Sequence, residues 1–206
     1  MEKEIKLKTL FGDYRVVGLA GEKSSGKTNN LISLIEDFRI NNKETKIYLY
    51  GLDEICLKYL NKFDNIFEVS SLEQLSDKKN CLIIVDEFQK LHIGDRRYKD
   101  LLDKFIDFVY HSNNWVIFSS PNLREFNSVI GSKIERWAIK SLRIRDLVNG
   151  SHLKEAVLGY NGRYKVFDAI SIDKGKLLII NDDFEKVLEI GYIKEIDFKI
   201  KNKDIF

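Results

Sequence analysis

The residues of this 206-residue chain that could do chemistry begin with a glycine-rich stretch, GEKSSGKT, at 21–28. Its fixed positions follow the spacing G-x-x-x-x-G-K-[ST], and the glycines allow backbone angles that a Cβ atom would forbid. Successive N–H groups of such a loop can turn inward and form a concavity that binds anions. Lys27 adds a positive charge there, and Thr28 offers a hydroxyl oxygen to a hard cation. The stretch therefore predicts a site for the phosphates of a nucleotide and for Mg²⁺.

Residues in and just after this stretch receive specific roles. Those expected to bind the nucleotide are Gly21, Glu22, Lys23, Ser24, Ser25, Gly26, Lys27, Thr28 and Asn29. Thr28 is also expected to bind Mg²⁺ through its hydroxyl group. Lys27 would reach the β- and γ-phosphates and is therefore a candidate catalytic residue as well.

The segments on either side are those that a phosphate-binding loop requires. Residues 14–20, YRVVGLA, are typical of a short buried strand. Apolar residues recur at helical spacing after the loop, at Leu31, Leu34, Ile35 and Phe38. A helix there would direct its positive N-terminal end at the bound phosphates.

A second motif, NCLIIVDE at 80–87, is a continuous apolar run that ends in two acids. Such a run predicts a central parallel strand that is covered on both faces. Ligands of open α/β sheets gather at the carboxyl ends of the strands, so Asp86 is expected beside the glycine-rich loop as a Mg²⁺-linked acid. Glu87 is expected to take the proton of an attacking water and is a candidate catalytic residue.

The Asp-Glu pair resembles the ASCE division of P-loop ATPases. That resemblance implies a further strand between the loop strand and the Asp strand, with a polar sensor residue at its end. The segment WVIFSS at 115–120 fits, because it is apolar and then abruptly polar. Ser119, Ser120 or Asn122 would orient the water or contact the γ-phosphate, and Ser120 is taken as the catalytic candidate. The SSPN sequence is equally typical of a turn and a helix start.

The order of parts from about 16 to 142 is similar to the HerA/FtsK superfamily of DNA-pumping ATPases. The similar parts are the loop, the Asp-Glu pair, an Asp-Arg-Arg loop, a helix from about 97 to 110, the strand at 115–120 and the stretch NSVIGSKIERWAIKSL at 127–142. The resemblance implies ATP and Mg²⁺ as cofactors, DNA as a partner and a ring of identical subunits. Two departures concern activation: Ser119-Ser120 stands where the superfamily often has Gln, and Tyr110-His111 where it often has Arg-His.

An arginine of a neighbouring subunit often acts on the ATP in that superfamily, and loss of such a group typically costs about 10³-fold or more in rate. The candidates for this role in the present chain are Arg96, Arg97 and Arg124. If none of them takes it, hydrolysis is expected to be slow.

Composition limits the class of protein. A hydrophobic content of 44%, a charged content of 32% and a net charge of +2 indicate a globular protein without the charge excess of a dedicated nucleic-acid binder. No apolar run approaches twenty residues, so no membrane span is expected. Met1 to Lys6 lack the apolar stretch of a secretion signal. Cys81 lies in an apolar run, which favours a reducing location, and we expect the cytoplasm, that of the host if the protein is viral.

One short segment, KIERWAIKSLRIR at 133–145, is rich in basic residues. Its cations and the one that follows are Lys133, Arg136, Lys140, Arg143, Arg145 and Lys154. Two interpretations stay open at this stage: a strip that faces DNA, or the solvated face of a strand.

We predict an α/β fold, a P-loop NTPase with a mainly parallel sheet flanked by helices and a small β-rich C-terminal extension. Residues 1–150 would form the ATPase core and residues 151–206 the extension. The extension is predicted from strand-like runs separated by turn signals at 161–162, 173–175 and 181–183. Nothing in the extension resembles a known type of site.

Two functions are compatible with these features. The first is a Mg²⁺-dependent ATPase that couples hydrolysis to DNA translocation or packaging, encoded by a virus or mobile element. The alternative is a nucleotide-gated switch or loader with weak or no hydrolysis, which the absent Gln and Arg favour. A small-molecule kinase fits less well, because the Asp-Glu pair suits the activation of water.

Overall fold

The computed structural model describes residues 6–22, 24–88, 96–121, 126, 128–141, 172–173, 175–181 and 184–193. Five α-helices are present in these ranges, at Lys6–Phe11 (α1), Lys27–Asn41 (α2), Glu54–Leu60 (α3), Arg96–His111 (α4) and Ser128–Gly131 (α5). A 3₁₀ helix covers Leu72–Leu75. The strands are Val16–Ala20 (β1), Ile47–Tyr50 (β2), Ile66–Glu68 (β3), Leu82–Val85 (β4), Trp115–Ser120 (β5), Arg136–Ile139 (β6), Lys176–Asn181 (β7) and Phe184–Glu189 (β8).

All eight described strands belong to one sheet with the order β3-β2-β4-β5-β1-β6-β7-β8. The six strands from β3 to β6 are parallel, and β7 and β8 pair antiparallel at the β6 edge. The predicted α/β fold with a mainly parallel sheet is confirmed. The strand that the resemblance placed between the loop strand and the Asp strand is β5, which pairs with β1 on one side and β4 on the other.

The buried side chains form two layers, one on each face of the sheet. One layer joins the apolar face of α4 to alternate strand residues, and the other joins α1, α2 and α3 to the remaining strand residues. The run Leu82–Val85 is buried throughout, as expected for a central parallel strand covered on both faces. The predicted helices at 97–110 and after the glycine-rich loop are therefore confirmed as α4 and α2, each packed on its own face of the sheet.

The C-terminal part of the described chain extends the same sheet. Strand β7 ends at Asn181 and β8 begins at Phe184, where the turn signal at 181–183 predicted a hairpin. The other predicted strand-like runs, between 153 and 172, and the turn at 161–162 lie outside the described residues, apart from Ile172. So does the boundary at residue 150, and the division into two domains stays a prediction.

Both cysteines, Cys56 and Cys81, are free and buried. Burial raises the pKa of the Cys81 thiol to about 11, so this thiol stays protonated and unreactive at neutral pH. In the described part of the chain, no helix has the length and apolar character needed to cross a membrane.

Candidate nucleotide site

The glycine-rich loop joins the end of β1 to the first turn of α2, as predicted. Its backbone turns at two left-handed positions, Ser24 with φ 67° and Gly26 with φ 91°. The N–H of Ser25 donates to the carbonyl of Glu22 at 3.2 Å, and α2 opens with a bond from the Asn30 N–H to the Gly26 carbonyl at 3.0 Å. The loop therefore has the backbone form of an anion-binding concavity at a helix N-terminus. Lys23 lies outside the described residues.

The start of the loop is held by the ends of two neighbouring strands. The Gly21 N–H donates to the carbonyl of Ser120, at the end of β5, at 3.4 Å. The Glu22 N–H donates to the carbonyl of Ser141, just after β6, at 2.9 Å. A Cβ atom on Gly21 would lie only 2.8 Å from the Cβ of Lys140. Glycine at 21 thus lets the loop approach β6 closely.

Lys27 and Asp86 form a buried pair at the carboxyl ends of the strands. The Lys27 Nζ lies 3.7 Å from Asp86 Oδ1, and the two residues are only 7% and 4% exposed. Asp86 Oδ1 also accepts a hydrogen bond from the N–H of Glu87 at 3.0 Å. These contacts place Asp86 beside the loop, as the topology of an open α/β sheet requires.

Glu87 follows Asp86 in a left-handed backbone conformation, with φ 47°. A residue other than glycine adopts this conformation rarely, and such positions cluster at functional sites. Glu87 is half-buried, whereas Asp86 and the strand before it are buried. The sharp turn after Asp86 thus takes the chain from the sheet interior toward solvent at Glu87.

The described residues fit a bound phosphate chain. Ser25 Oγ is buried in the loop and has no hydrogen-bond partner among the described residues. A buried polar atom without a partner is costly, and a phosphate oxygen would supply one. Thr28 lies in the first turn of α2, half-buried.

The described oxygen-bearing side chains at the site also fit Mg²⁺ as the metal. No cluster of three or more His, Cys, Asp or Glu in the described ranges could hold a metal ion by itself. Mg²⁺ bound with a nucleotide usually takes only one or two protein ligands and completes its shell with phosphates and water. Asp86 and Thr28 are the residues that would hold it.

The end of β5 carries two buried hydroxyl groups, on Ser119 and Ser120. Ser119 Oγ has no hydrogen-bond partner within the described chain. Ser120, the residue predicted to be catalytic, uses its backbone carbonyl to hold Gly21. Both serines therefore lie next to the loop, and the sensor role predicted for Ser120 stays a prediction. Asn122 lies outside the described residues.

Asn29 shows a contact that sequence reasoning missed. Its side-chain amide donates from Nδ2 to the Ile193 carbonyl at 2.6 Å and accepts at Oδ1 from the Ile193 N–H at 2.8 Å. The two residues are 164 positions apart, and no local pattern signals such a pairing. The Asn29 side chain thus binds the chain after β8. Its role in nucleotide binding stays a prediction.

Neither interpretation of the basic segment holds for Arg136 and Lys140, because both are buried. Arg136 Nη1 donates to the carbonyls of Thr9 and Leu10, so it caps the end of α1. The side chain of Lys133 is 40% exposed, and its Nζ atom lies 3.4 Å from Asp103 Oδ1. The segment is therefore not a continuous surface strip. The cations at 143, 145 and 154 lie outside the described residues.

Tyr110 and His111, which replace the Arg-His pair of the superfamily, lie at the far end of the sheet from the loop. Burial and a hydrogen bond to Glu135 raise the pKa of Tyr110. The same carboxylate accepts from the N–H groups of Arg15 and Val16, where β1 begins. The loop follows the opposite end of β1, so this pair is remote from the site of its own chain. The side chains of the candidate arginines at 96, 97 and 124 are not among those described.

Several solved structures share this fold. The DNA-packaging ATPase B204 from Sulfolobus turreted icosahedral virus aligns with a TM-score of 0.64 at 12% identity, over 84% of this chain and 96% of B204. The genome-packaging NTPase B204 of Sulfolobus turreted icosahedral virus 2, solved with ATP-gammaS, aligns with a TM-score of 0.60 at 11% identity over the same shares. ATPases 2 and 3 of EssC from Geobacillus thermodenitrificans align with a TM-score of 0.60 at 11% identity, over 93% of this chain and 43% of theirs.

These likenesses confirm the fold as that of a P-loop NTPase, and its resemblance to viral packaging ATPases. No protein-family model matches the sequence, and no curated protein matches it. At 11–12% identity, the three structures establish the fold and leave activity to be argued from the site.

Proposed function

We propose that this chain is a Mg²⁺-dependent ATPase that couples ATP hydrolysis to the translocation or packaging of DNA, working as a ring of identical subunits. The observation that carries the proposal is the buried pair of Lys27 and Asp86, 3.7 Å apart, with Glu87 directly after it. A phosphate-binding loop and a Mg²⁺-linked acid are the two parts that P-loop NTPases use to hold a nucleoside triphosphate.

The positions of these residues support the following chemistry. Lys27 stabilises the negative charge that develops on the transferred phosphoryl group, and it is kept in place by Asp86. Glu87 accepts the proton of the water that attacks the γ-phosphorus in line, and ADP leaves as the bond from the γ-phosphorus to the β–γ bridging oxygen breaks. Ser120 and Ser119, at the end of β5, orient that water or contact the γ-phosphate. Thr28 and Asp86 would hold Mg²⁺, which would supply positive charge against the charge of the phosphates.

The likeness to one viral protein supports DNA as the polymer that is moved. The structural match to the DNA-packaging ATPase B204 covers 96% of that protein, so the two folds correspond over almost the whole length of B204. The match to EssC covers 43% of a larger chain with two ATPase units. B204 is viral, which also supports a viral or mobile-element origin and action in the cytoplasm of the host.

A second candidate, a nucleotide-gated switch or loader with weak or no hydrolysis, is favoured by two features. Ser119-Ser120 replaces the glutamine that often ends the sensor strand. Arg136 and Lys140 are buried, which removes two cations from any surface that could bind DNA. A switch would need the Lys27–Asp86 pair to bind ATP but would make little use of Glu87.

The test is ATP turnover with and without double- or single-stranded DNA, comparing the natural protein with Glu87→Gln. We expect turnover to fall by about 10²-fold or more in Glu87→Gln while ATP still binds, because the general base is lost and the phosphate contacts remain. Glu68→Gln is the matched control, since Glu68 is an exposed acid on β3 at the far edge of the sheet.

The outcomes separate the candidates. Turnover that DNA stimulates and that Glu87→Gln abolishes supports the DNA motor. Negligible turnover in both proteins, with ATP bound tightly, excludes the motor and leaves the switch. A natural protein that binds no ATP would contradict both. Light scattering of Glu87→Gln with ATP tests for the ring, which is expected as a species of several subunits.

A further inference from the structure

The segment after β8, residues 190–193, lies directly against the phosphate-binding loop. Both polar groups of the Asn29 amide bind the backbone of Ile193, in the manner of two paired strands. Asn30 Nδ2 donates to the Gly191 carbonyl at 3.4 Å. These three bonds fix the segment to the first turn of α2.

The other end of the segment is anchored to the start of β7. The N–H groups of Ile190 and Gly191 both donate to the carbonyl of Gly175, at 2.7 Å and 3.1 Å. Ile190 is buried, at 1% exposure. The segment is therefore held at both ends. The side chain of Tyr192, which lies between these anchors, cannot move far unless several of these hydrogen bonds break.

The Tyr192 ring lies beside Gly26 of the loop. Its Cε2 atom is 3.6 Å from the position that a Cβ atom on Gly26 would occupy. Tyr192 is half-buried, so part of its surface is accessible, although its hydroxyl oxygen is buried. An aromatic side chain in this place can pack against a flat ligand group.

The order of the strands in the sheet indicates which part of a bound nucleotide would lie near the Tyr192 ring. Asp86 and Glu87 follow β4, on one side of β1. Under the proposed function, they act at the γ-phosphate end of the nucleotide. Strands β6, β7 and β8 lie on the other side of β1, and residues 190–193 follow β8. A nucleotide whose γ-phosphate faces Asp86 therefore extends its nucleoside toward the side where this segment contacts α2.

We propose that Tyr192 packs against the base or ribose of the bound nucleotide, and that Asn29 is the positioning residue that seats its segment. The inference rests on the proposed function, because it takes the loop to bind a nucleoside triphosphate. It assigns part of the C-terminal hairpin to the nucleotide site, as the element that recognises the nucleoside rather than the phosphates.

The test compares two ligands that share the phosphate chain: ATP and inorganic tripolyphosphate, each with Mg²⁺. In Tyr192→Ala, we expect ATP to bind about tenfold more weakly, since stacking of a base on an aromatic ring is lost. Tripolyphosphate should bind as it does to the natural protein, because the loop is unchanged. Tyr192→Phe keeps the ring and should keep the affinity for ATP. Val187→Ala, at an exposed position on β8, controls for disturbance of the hairpin.

Three results would overturn the inference. Equal weakening of both ligands in Tyr192→Ala would show that the segment only braces the loop. No change for either ligand would show that the ring does not contact the nucleoside, and tighter binding would show that it obstructs the site. A natural protein that binds neither ligand would instead overturn the proposed function, and this inference with it.

A second measurement uses only the natural protein and so does not depend on the folding of a variant. The natural protein is photolabelled with 8-azido-ATP, and the labelled peptide is identified by mass spectrometry. We expect the label on the peptide that contains Tyr192, with competition by ATP. Label that ATP displaces but that lies only on other peptides would contradict the assignment.

Discussion

Lys140 is a fully buried lysine at the end of β6 whose ammonium group binds three backbone carbonyls. It donates to Ile172 at 3.4 Å, to Lys176 at 3.0 Å and also to Asp173. Its backbone N–H donates to Ala20, at the end of β1, at 2.7 Å. A single residue therefore connects the phosphate-binding loop to the start of β7.

The first prediction concerns Lys140→Met, which keeps the length of the side chain and removes its charge. We expect the free energy of unfolding to fall by about 2–3 kcal/mol, because buried carbonyls lose a charged donor. Lys133→Met is the matched control, since the half-exposed Lys133–Asp103 pair should contribute less than about 1 kcal/mol. Urea unfolding checks both. Equal effects of the two variants would contradict the structural role of Lys140.

At the scale of elements, the end of β2 determines where the end of β4 lies. The Asp86 N–H donates to the Tyr50 carbonyl at 2.9 Å, and the chain then turns at Gly51 with φ 79°. A Cβ atom on Gly51 would lie 2.4 Å from the Asp86 carbonyl oxygen. The residue at position 51, directly after β2, must therefore be glycine if Asp86 and Glu87 are to keep their positions.

The second prediction follows from this contact. Gly51→Ala should displace the Asp86–Glu87 turn and lower ATP turnover by about tenfold or more, because small misplacements of catalytic groups are costly. The control is Gly12→Ala, at φ 57°, where the added Cβ atom would lie 2.9 Å from the guanidinium of Arg136, at the start of β6 and away from the Asp86–Glu87 turn. Both variants should lose about 1 kcal/mol of stability from left-handed strain. Only Gly51→Ala should lose activity, and unchanged turnover in Gly51→Ala would refute the positioning role.

At the scale of the whole molecule, the described C-terminal hairpin belongs to the same sheet as the nucleotide site. Strand β7 pairs with β6, and its residues Leu177 to Ile180 are buried in both layers of the core. The described part of the chain thus has one sheet on which both the loop and the hairpin depend.

The third prediction is that the hairpin and the nucleotide site unfold together. Ile179→Ala, in the core, should lower the free energy of unfolding by about 2–5 kcal/mol, whereas Val187→Ala, 52% exposed, should cost less than about 1 kcal/mol. Tryptophan fluorescence and far-UV circular dichroism should report one shared urea transition. Two separate transitions, or no shift with Ile179→Ala, would show that the hairpin folds independently.

The parts of the site that depend on short-range chemistry could be predicted from the sequence. The loop at 21–28, the strand ending in Asp86-Glu87 and the strand at 115–120 were predicted because each carries its own pattern of glycines, apolar runs and polar ends. The order of these strands in the sheet also followed, because the resemblance to ASCE ATPases implied β5 between β1 and β4.

Contacts between residues far apart in the chain could not be predicted and are seen only in the folded protein. Arg136 and Lys140 have the sequence signature of surface cations, yet both are buried, and backbone carbonyls far along the chain accept hydrogen bonds from them. The pairing of Asn29 with Ile193, and with it the place of Tyr192, depends on the β7–β8 hairpin adding to the β6 edge. Hydrogen bonds to backbone groups use atoms that every residue has, so they leave no pattern in the sequence.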